Sequence, residues 1–383
     1  MRTLLLALAL LVACDDADPQ AVVDAGRPDA APVDASAADA ASRDATPADA
    51  APPDAAPADA APRDAAPPDA FIPDAFVGPQ DDTLRLHHVQ ARGTHNSYHM
   101  RPQMVFHPSH DYSHAPLDVQ VGDQGVRQLE LDLHARIQSG FDVFHLPLID
   151  PETVCYAFED CLRTLDRWSR THPGHLPIVV WIEPKDEGSA PVNGHVPSVD
   201  RMSELDAAIL GILSRDQVFT PDDLRGAQAS VRDAVLADGW PPLAAVRGRF
   251  IFALLDTGAH RAAYVGEATD LAGRLLFVDA DGPDDPRAAL LKINDGTSDA
   301  ARAAVAAGFL VTSNVDAADD PPEDRAARRA ATLANGVHFL SSDRPAPASP
   351  DDTDWLDIPG GTPARCNPVT APAGCTAAAL EDL

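Results

Sequence analysis

Positive charge is scarce in this chain. Its 29 Lys and Arg stand against 59 Asp and Glu, a formal net charge of −30 over 383 residues. The few basic side chains form no stripe, which argues against a nucleic-acid partner. Such acidity also gains nothing from an anionic membrane surface. An anionic lipid substrate would therefore need a bound cation to offset repulsion. Cysteine is sparse too, with five in all, and no two of them share the tight CxxC spacing that zinc favours. No Gly-rich dinucleotide loop follows the first strand-like run, which weighs against a doubly wound sheet. The one long apolar run, Leu4 to Ala13, is too short to span a bilayer as a stable helix.

That run reads instead as a secretion signal, with Arg2 as its only charge. It ends Leu11-Val12-Ala13-Cys14, which resembles the lipobox of bacterial lipoproteins. The resemblance implies that Cys14 is diacylated and becomes the mature N-terminus. A cleaved signal with a chance cysteine is the plainer alternative. Asp-Ala then recurs every five residues from Asp24-Ala25 to Asp74-Ala75, eleven times, with Pro, Ala and Ser between. Proline breaks helices at that density, and nothing apolar is large enough to build a core. Residues 15–82 are therefore expected to be a disordered tether. Polyproline-like extension of ~3.1 Å per residue gives about 65 residues a reach of at most ~200 Å. Sixteen Asp and three Arg put −13 in this segment, which with Arg2 leaves −18 for residues 83–383.

Setting Cys14 aside, four cysteines fall as two local pairs, Cys155/Cys161 and Cys366/Cys375. Local disulfides in an exported protein are the simplest pairing. From about Leu84, apolar runs alternate with helical patterns. Strands are expected over 86–91, 128–133, 142–145, 177–182, 250–255, 275–279, 290–293, 309–313 and 337–340. Helices are expected over 155–171, 199–213, 221–236, 299–307 and 321–334. Strand–helix alternation implies a parallel sheet. About 300 residues with nine strand candidates suit a single α/β domain, a (β/α)8 TIM barrel over 83–345, with one candidate misread or in a loop. Residues 346–383 are expected to form a disulfide-stapled tail, and residues 1–14 the signal.

Polar residues end or interrupt several of these runs. Glu130 and Asp132 are two apart on a strand, so both point to one face. Two carboxylates in a packed interior are very costly unless a cation neutralises them. Asn96 adds an amide oxygen and Glu183 a third carboxylate. Such an all-oxygen set fits Ca²⁺, or less well Mg²⁺, far better than Zn²⁺. The blander reading pairs Glu130 and Asp132 with arginines such as Arg127 or Arg136. His95 and His145 end two other strand-like runs, where one neutral and one protonated imidazole can move protons near neutral pH. His87, His88, His99, His107, His110, His114 and His134 read as loop or packing residues. Lys292, Asp256 and Asp343 end runs as well, as pocket residues or ordinary ion-pair partners.

Four segments resemble the phosphoinositide-specific phospholipase C catalytic domain, most closely its bacterial and fungal calcium-dependent branch. They are Gly93-Thr94-His95-Asn96-Ser97-Tyr98, His114-Ala115-Pro116-Leu117, Gln124 to Asp132, and Ile182-Glu183-Pro184-Lys185. The resemblance covers roughly residues 84–345 and implies a distorted TIM barrel. It implies His95 as general base toward the inositol 2-hydroxyl and His145 as general acid toward the departing diacylglycerol oxygen. Asn96, Glu130, Asp132 and Glu183 become calcium ligands, and Lys185 a contact to headgroup phosphate. Where the family shows acidic residues near the seventh strand end, this chain has Val311 to Asp316. The expected protein is a monomeric lipid phosphodiesterase, exported, anchored through Cys14 and acting at a membrane surface on phospholipid. Glycerophosphodiester phosphodiesterases and sphingomyelinase D-like enzymes share such a barrel, and a surface binding module without turnover is the reading from another class.

Overall fold

The computed structural model describes residues 75–186, 194–268, 270–316, 320–361 and 363–381. The signal run, Cys14 and the Asp-Ala repeat up to residue 74 lie outside the described residues; residues 75–82, expected in the tether, instead pack on the domain, where the buried Asp81 pairs with Arg247 at 2.6 Å.

Eight parallel strands form a nearly closed (β/α)8 barrel. They are β1 (Val89–Thr94), β2 (Val126–Ala135), β4 (Ile178–Lys185), β5 (Phe250–Leu254), β6 (Phe277–Val278), β7 (Leu290–Lys292), β8 (Leu310–Asn314) and β9 (Phe339–Ser342). Their order is β6-β5-β4-β2-β1-β9-β8-β7, and a lone parallel bridge between Asp279 and Leu290 links the two ends. The ninth candidate is the one that does not belong: β3 (Phe141–Val143) folds back antiparallel onto β2. Strand alternation sends one side chain in two inward. Trp181 on β4 donates to Thr312 Oγ1 on β8, 3.1 Å away, across the interior. Gly93 sits where the β1–β2 register shifts, and a Cβ there would run into the buried Gln128 side chain. That close approach explains the glycine that precedes Thr94-His95.

The helices cover the barrel as amphipathic segments. Phe158–Thr171 buries Phe158, Cys161, Leu162, Leu165 and Trp168, three or four apart, and starts with Glu159 and Asp160. Pro322–Ala334 opens on Pro322 and stops at Asn335, after which Gly336 takes φ 78°. Two expected helices break. The 221–236 segment becomes Pro221–Arg225 and Val231–Ala237, divided at Gly226 (φ 54°) and restarted by a Ser230 cap. The 199–213 segment starts as a 3₁₀ turn over Ser198–Glu204 before Leu205–Leu210. No helix among the described residues is long and apolar enough to cross a membrane.

Both local disulfides form, Cys155–Cys161 and Cys366–Cys375. The segment after 345 is also joined to the barrel by strand and ion pair. β10 (Ala364–Cys366) pairs antiparallel with the start of β1. Glu381 receives both Nε and Nη2 of the buried Arg127, at 2.9 and 2.6 Å, and the Leu176 amide at 3.0 Å. These contacts lie at the N-terminal ends of β2 and β4.

Candidate active site

The opposite, C-terminal ends of the strands carry the polar residues. Glu130 and Asp132 share the inward face of β2, and Asp132 is register partner of Glu183 on β4. One oxygen of each of the three carboxylates lies within 4.8 Å of the others. Glu130 and Asp132 are buried and Glu183 is partly so. The arginine pairing considered above is not the observed one: Arg127 serves Glu381, and Arg136 serves Asp142 and Glu159. Two lysines come instead. Lys292 Nζ is 2.7 Å from Glu130 Oε2, while Lys185 Nζ is 2.6 Å from Glu183 Oε1 and 3.1 Å from Asp132 Oδ2.

This neutralisation is incomplete. Neither buried oxygen of Asp132 has a well-formed hydrogen bond; the Lys185 ammonium is close but poorly aligned. Burial pushes Glu183 up, Lys185 opposes it, and the like charges of Asp132 and Glu130 add to the rise. Burial opposes the charge on Lys185, but Asp132 and Glu183 reverse this and hold it above its ordinary range. Three converging oxygen anions with an orphaned carboxylate are the donor set of a hard divalent cation. Asn96 stands next to them. Its backbone is left-handed, φ 43°, which asparagine tolerates, and its Oδ1 accepts from Tyr98 OH at 3.3 Å. The Tyr98 phenol is itself pushed up by burial and then by Asp132. The residues present therefore fit calcium, with Asn96, Glu130, Asp132 and Glu183 able to hold it.

His95 follows β1 directly. Its Nδ1 is 2.9 Å from Asp343 Oδ1, and its Nε2 is 3.7 Å from Glu130 Oε1. Burial lowers its pKa, but Asp343 and Glu130 outweigh that and raise it to about 9. A cation on Glu130 would offset one of those two anions. His114 fixes the backbone here, with Nε2 2.8 Å from the His95 carbonyl. Burial pushes His114 down to about 4, so it serves as a neutral ring.

His145 follows β3 and stands in a second cluster, which the sequence did not announce. Its Nδ1 is 2.7 Å from Asp150 Oδ2, and His99 Nε2 is 2.9 Å from both oxygens of Asp150. Burial would raise the Asp150 carboxyl, but the imidazoles of His145 and His99 hold it below the usual carboxylate range. His99, His110 and His114, expected as loop or packing residues, are thus buried polar parts of the site. Tyr112 joins the two clusters. Its ring stacks on His99 at 4.3 Å, and its phenol is pushed up by burial and by Asp343, despite Asn96 beside its hydroxyl. Asp256, just past the C-terminal end of β5, is bound to His260 at 3.2 Å, and His260 also reaches Asp186 at 3.1 Å.

The sequence model of the family described as phosphoinositide phospholipase C, Ca²⁺-dependent, matches residues 84–140 and 134–368. Solved structures agree in fold. A Ca²⁺-dependent phosphatidylinositol-specific phospholipase C from Streptomyces antibioticus aligns with a TM-score of 0.52 and 23% identity, over 68% of this chain and 95% of that one. A calcium-dependent phosphoinositol-specific phospholipase C from a Gram-negative Pseudomonas sp. aligns with a TM-score of 0.51 and 18% identity, over 73% of this chain and 97% of that one. No curated protein sequence matches.

Proposed function

The chain belongs to the Ca²⁺-dependent phosphoinositide phospholipase C family, a phospholipase C-like phosphodiesterase, and on that premise we propose that it cleaves phosphatidylinositol-type lipids to diacylglycerol and an inositol phosphate. The observation that carries this reading is the convergence of Glu130, Asp132 and Glu183 within 4.8 Å beside His95.

In the proposed mechanism, His95 takes the proton of the inositol 2-hydroxyl. The freed oxygen attacks phosphorus, and the new P–O bond forms as the bond to the glycerol oxygen breaks. His145 gives that leaving oxygen a proton, so diacylglycerol departs neutral and the phosphate is left as a cyclic diester. Asp343 steadies the His95 ring through Nδ1, which leaves Nε2 for the hydroxyl. Asn96, Glu130, Asp132 and Glu183 would hold calcium, which when bound would supply positive charge beside the hydroxyl and the phosphoryl oxygens. Lys185 and Lys292 keep the carboxylates from repelling one another and the anionic substrate. We further propose that the protein is an exported monomer, lipidated at Cys14, with residues 15–74 as the tether that lets the barrel meet a membrane surface.

A headgroup panel with products identified by ³¹P NMR tests the substrate. The expected result is inositol phosphate released from phosphatidylinositol. Release of glycerol phosphate without inositol phosphate would move the chain to a glycerophosphodiesterase reading.

A further inference from the structure

Asp150 is fully buried, and no role in the reaction above requires it. It lies five residues after His145, and the chain turns sharply to bring the two together. Leu146 and Asp150 exchange backbone hydrogen bonds of 3.0 and 3.1 Å, and Ile149 N bonds Pro147 O at 2.9 Å. Leu148, at the tip, takes φ 69°. The left-handed region is unfavourable for leucine, so the closed turn holds a strained backbone. Function is where such strain is usually kept. The turn returns the carboxylate to within 2.7 Å of His145 Nδ1.

A second element fixes the carboxylate from the other side. His99, buried and held by its own amide on the Asn96 carbonyl at 2.8 Å, reaches both oxygens of Asp150 through Nε2. His110 Nδ1 stands 3.7 Å from Oδ2. Asp150 therefore cannot swing away without breaking bonds to two segments. His99, His145 and Asp150 also meet the spacing of a metal site. A metal would have to displace hydrogen bonds of 2.7 and 2.9 Å that already satisfy those atoms.

We propose that Asp150 is a positioning residue for the proton donor: held by His99, it fixes the His145 ring with Nδ1–H toward itself and so sets the orientation from which the ring protonates the departing oxygen. A ring with one nitrogen bound to a carboxylate is set in both orientation and tautomer. The inference rests on the reading of His145 as proton donor. It adds what aims that donor, and it predicts that the aim matters only when the leaving oxygen needs a proton.

Two substrates separate the cases: phosphatidylinositol, whose alkoxide leaves poorly, and 4-nitrophenyl inositol phosphate, whose phenolate leaves without protonation. Asp150→Asn should lower kcat on the lipid by about 10²-fold or more. On the aryl ester it should cost less than about tenfold, since general-acid help is not needed there. His145→Ala should show the same selectivity. The double variant should be hardly slower than His145→Ala alone, because groups acting as a unit are not additive. Should Asp150→Asn fail to fold, His99→Gln leaves the carboxylate and should give a smaller loss with the same lipid-over-aryl selectivity. If His145→Ala is selective but Asp150→Asn, or His99→Gln in its place, slows both substrates alike, the positioning role is overturned while the donor stands. If His145→Ala itself slows both alike, the donor reading falls and this inference with it.

Discussion

His95→Ala lowers kcat for phosphatidylinositol by about 10²–10⁴-fold, the range that a single general base supplies. The reason is geometric. His95 places one ring nitrogen on Asp343 and turns the other toward Glu130, the carboxylate on the shared face of β2. His114, beside it, cannot replace it: that ring is spent on the His95 carbonyl, and burial keeps it neutral. KM should change little, because the lost contact is to the reacting hydroxyl and not to the lipid. The fold should survive, since the His95 side chain is one-third exposed and fills no core position. Steady-state kinetics alongside a thermal melt would check both halves. Activity within tenfold of wild type in a folded protein would remove His95 from the mechanism.

Glu381→Ala should destabilise the fold. The Arg127 guanidinium is 1% exposed and depends on Glu381 for two of its hydrogen bonds. Removing one partner of a buried pair leaves an uncompensated charge and costs about 3–5 kcal/mol. For a domain of this size that is a fall in Tm of roughly 10 °C. Arg127→Met combined with Glu381→Leu should recover much of the loss, because no charge then remains buried. The pair sits at the N-terminal strand ends, away from the carboxylates, so kcat below the melt should hold near wild type. A melt unchanged by Glu381→Ala would mean that the C-terminal segment does not hold the barrel as described.

The sequence showed the barrel well where strands were long and apolar. It placed a strand before His145, and one forms there, but as Phe141–Val143 folded antiparallel onto β2 outside the barrel. β10 escaped notice because Ala364-Arg365-Cys366 is short and polar, and its strand character comes from its neighbour β1. Helix 221–236 looked continuous because its apolar spacing carries across Gly226, whereas the backbone does not. At the site, Glu130, Asp132 and Glu183 were readable because strand geometry places them on one face. Asp150 was not. It sits in an apolar stretch, and the turn that returns it to His145 pivots on Leu148, a residue with no turn propensity. The partners of charged residues were equally hidden: Arg127 meets Glu381 across 254 positions, and Lys292 meets Glu130 across 162.

The proposed division of labour gives metal binding to four oxygen donors and proton transfer to two histidines. Its most direct test is turnover of phosphatidylinositol by the wild-type protein with Ca²⁺, with excess EGTA, and after Ca²⁺ is restored. The expected result is loss of inositol phosphate release in EGTA and its full return with calcium. Undiminished turnover in excess EGTA would contradict it.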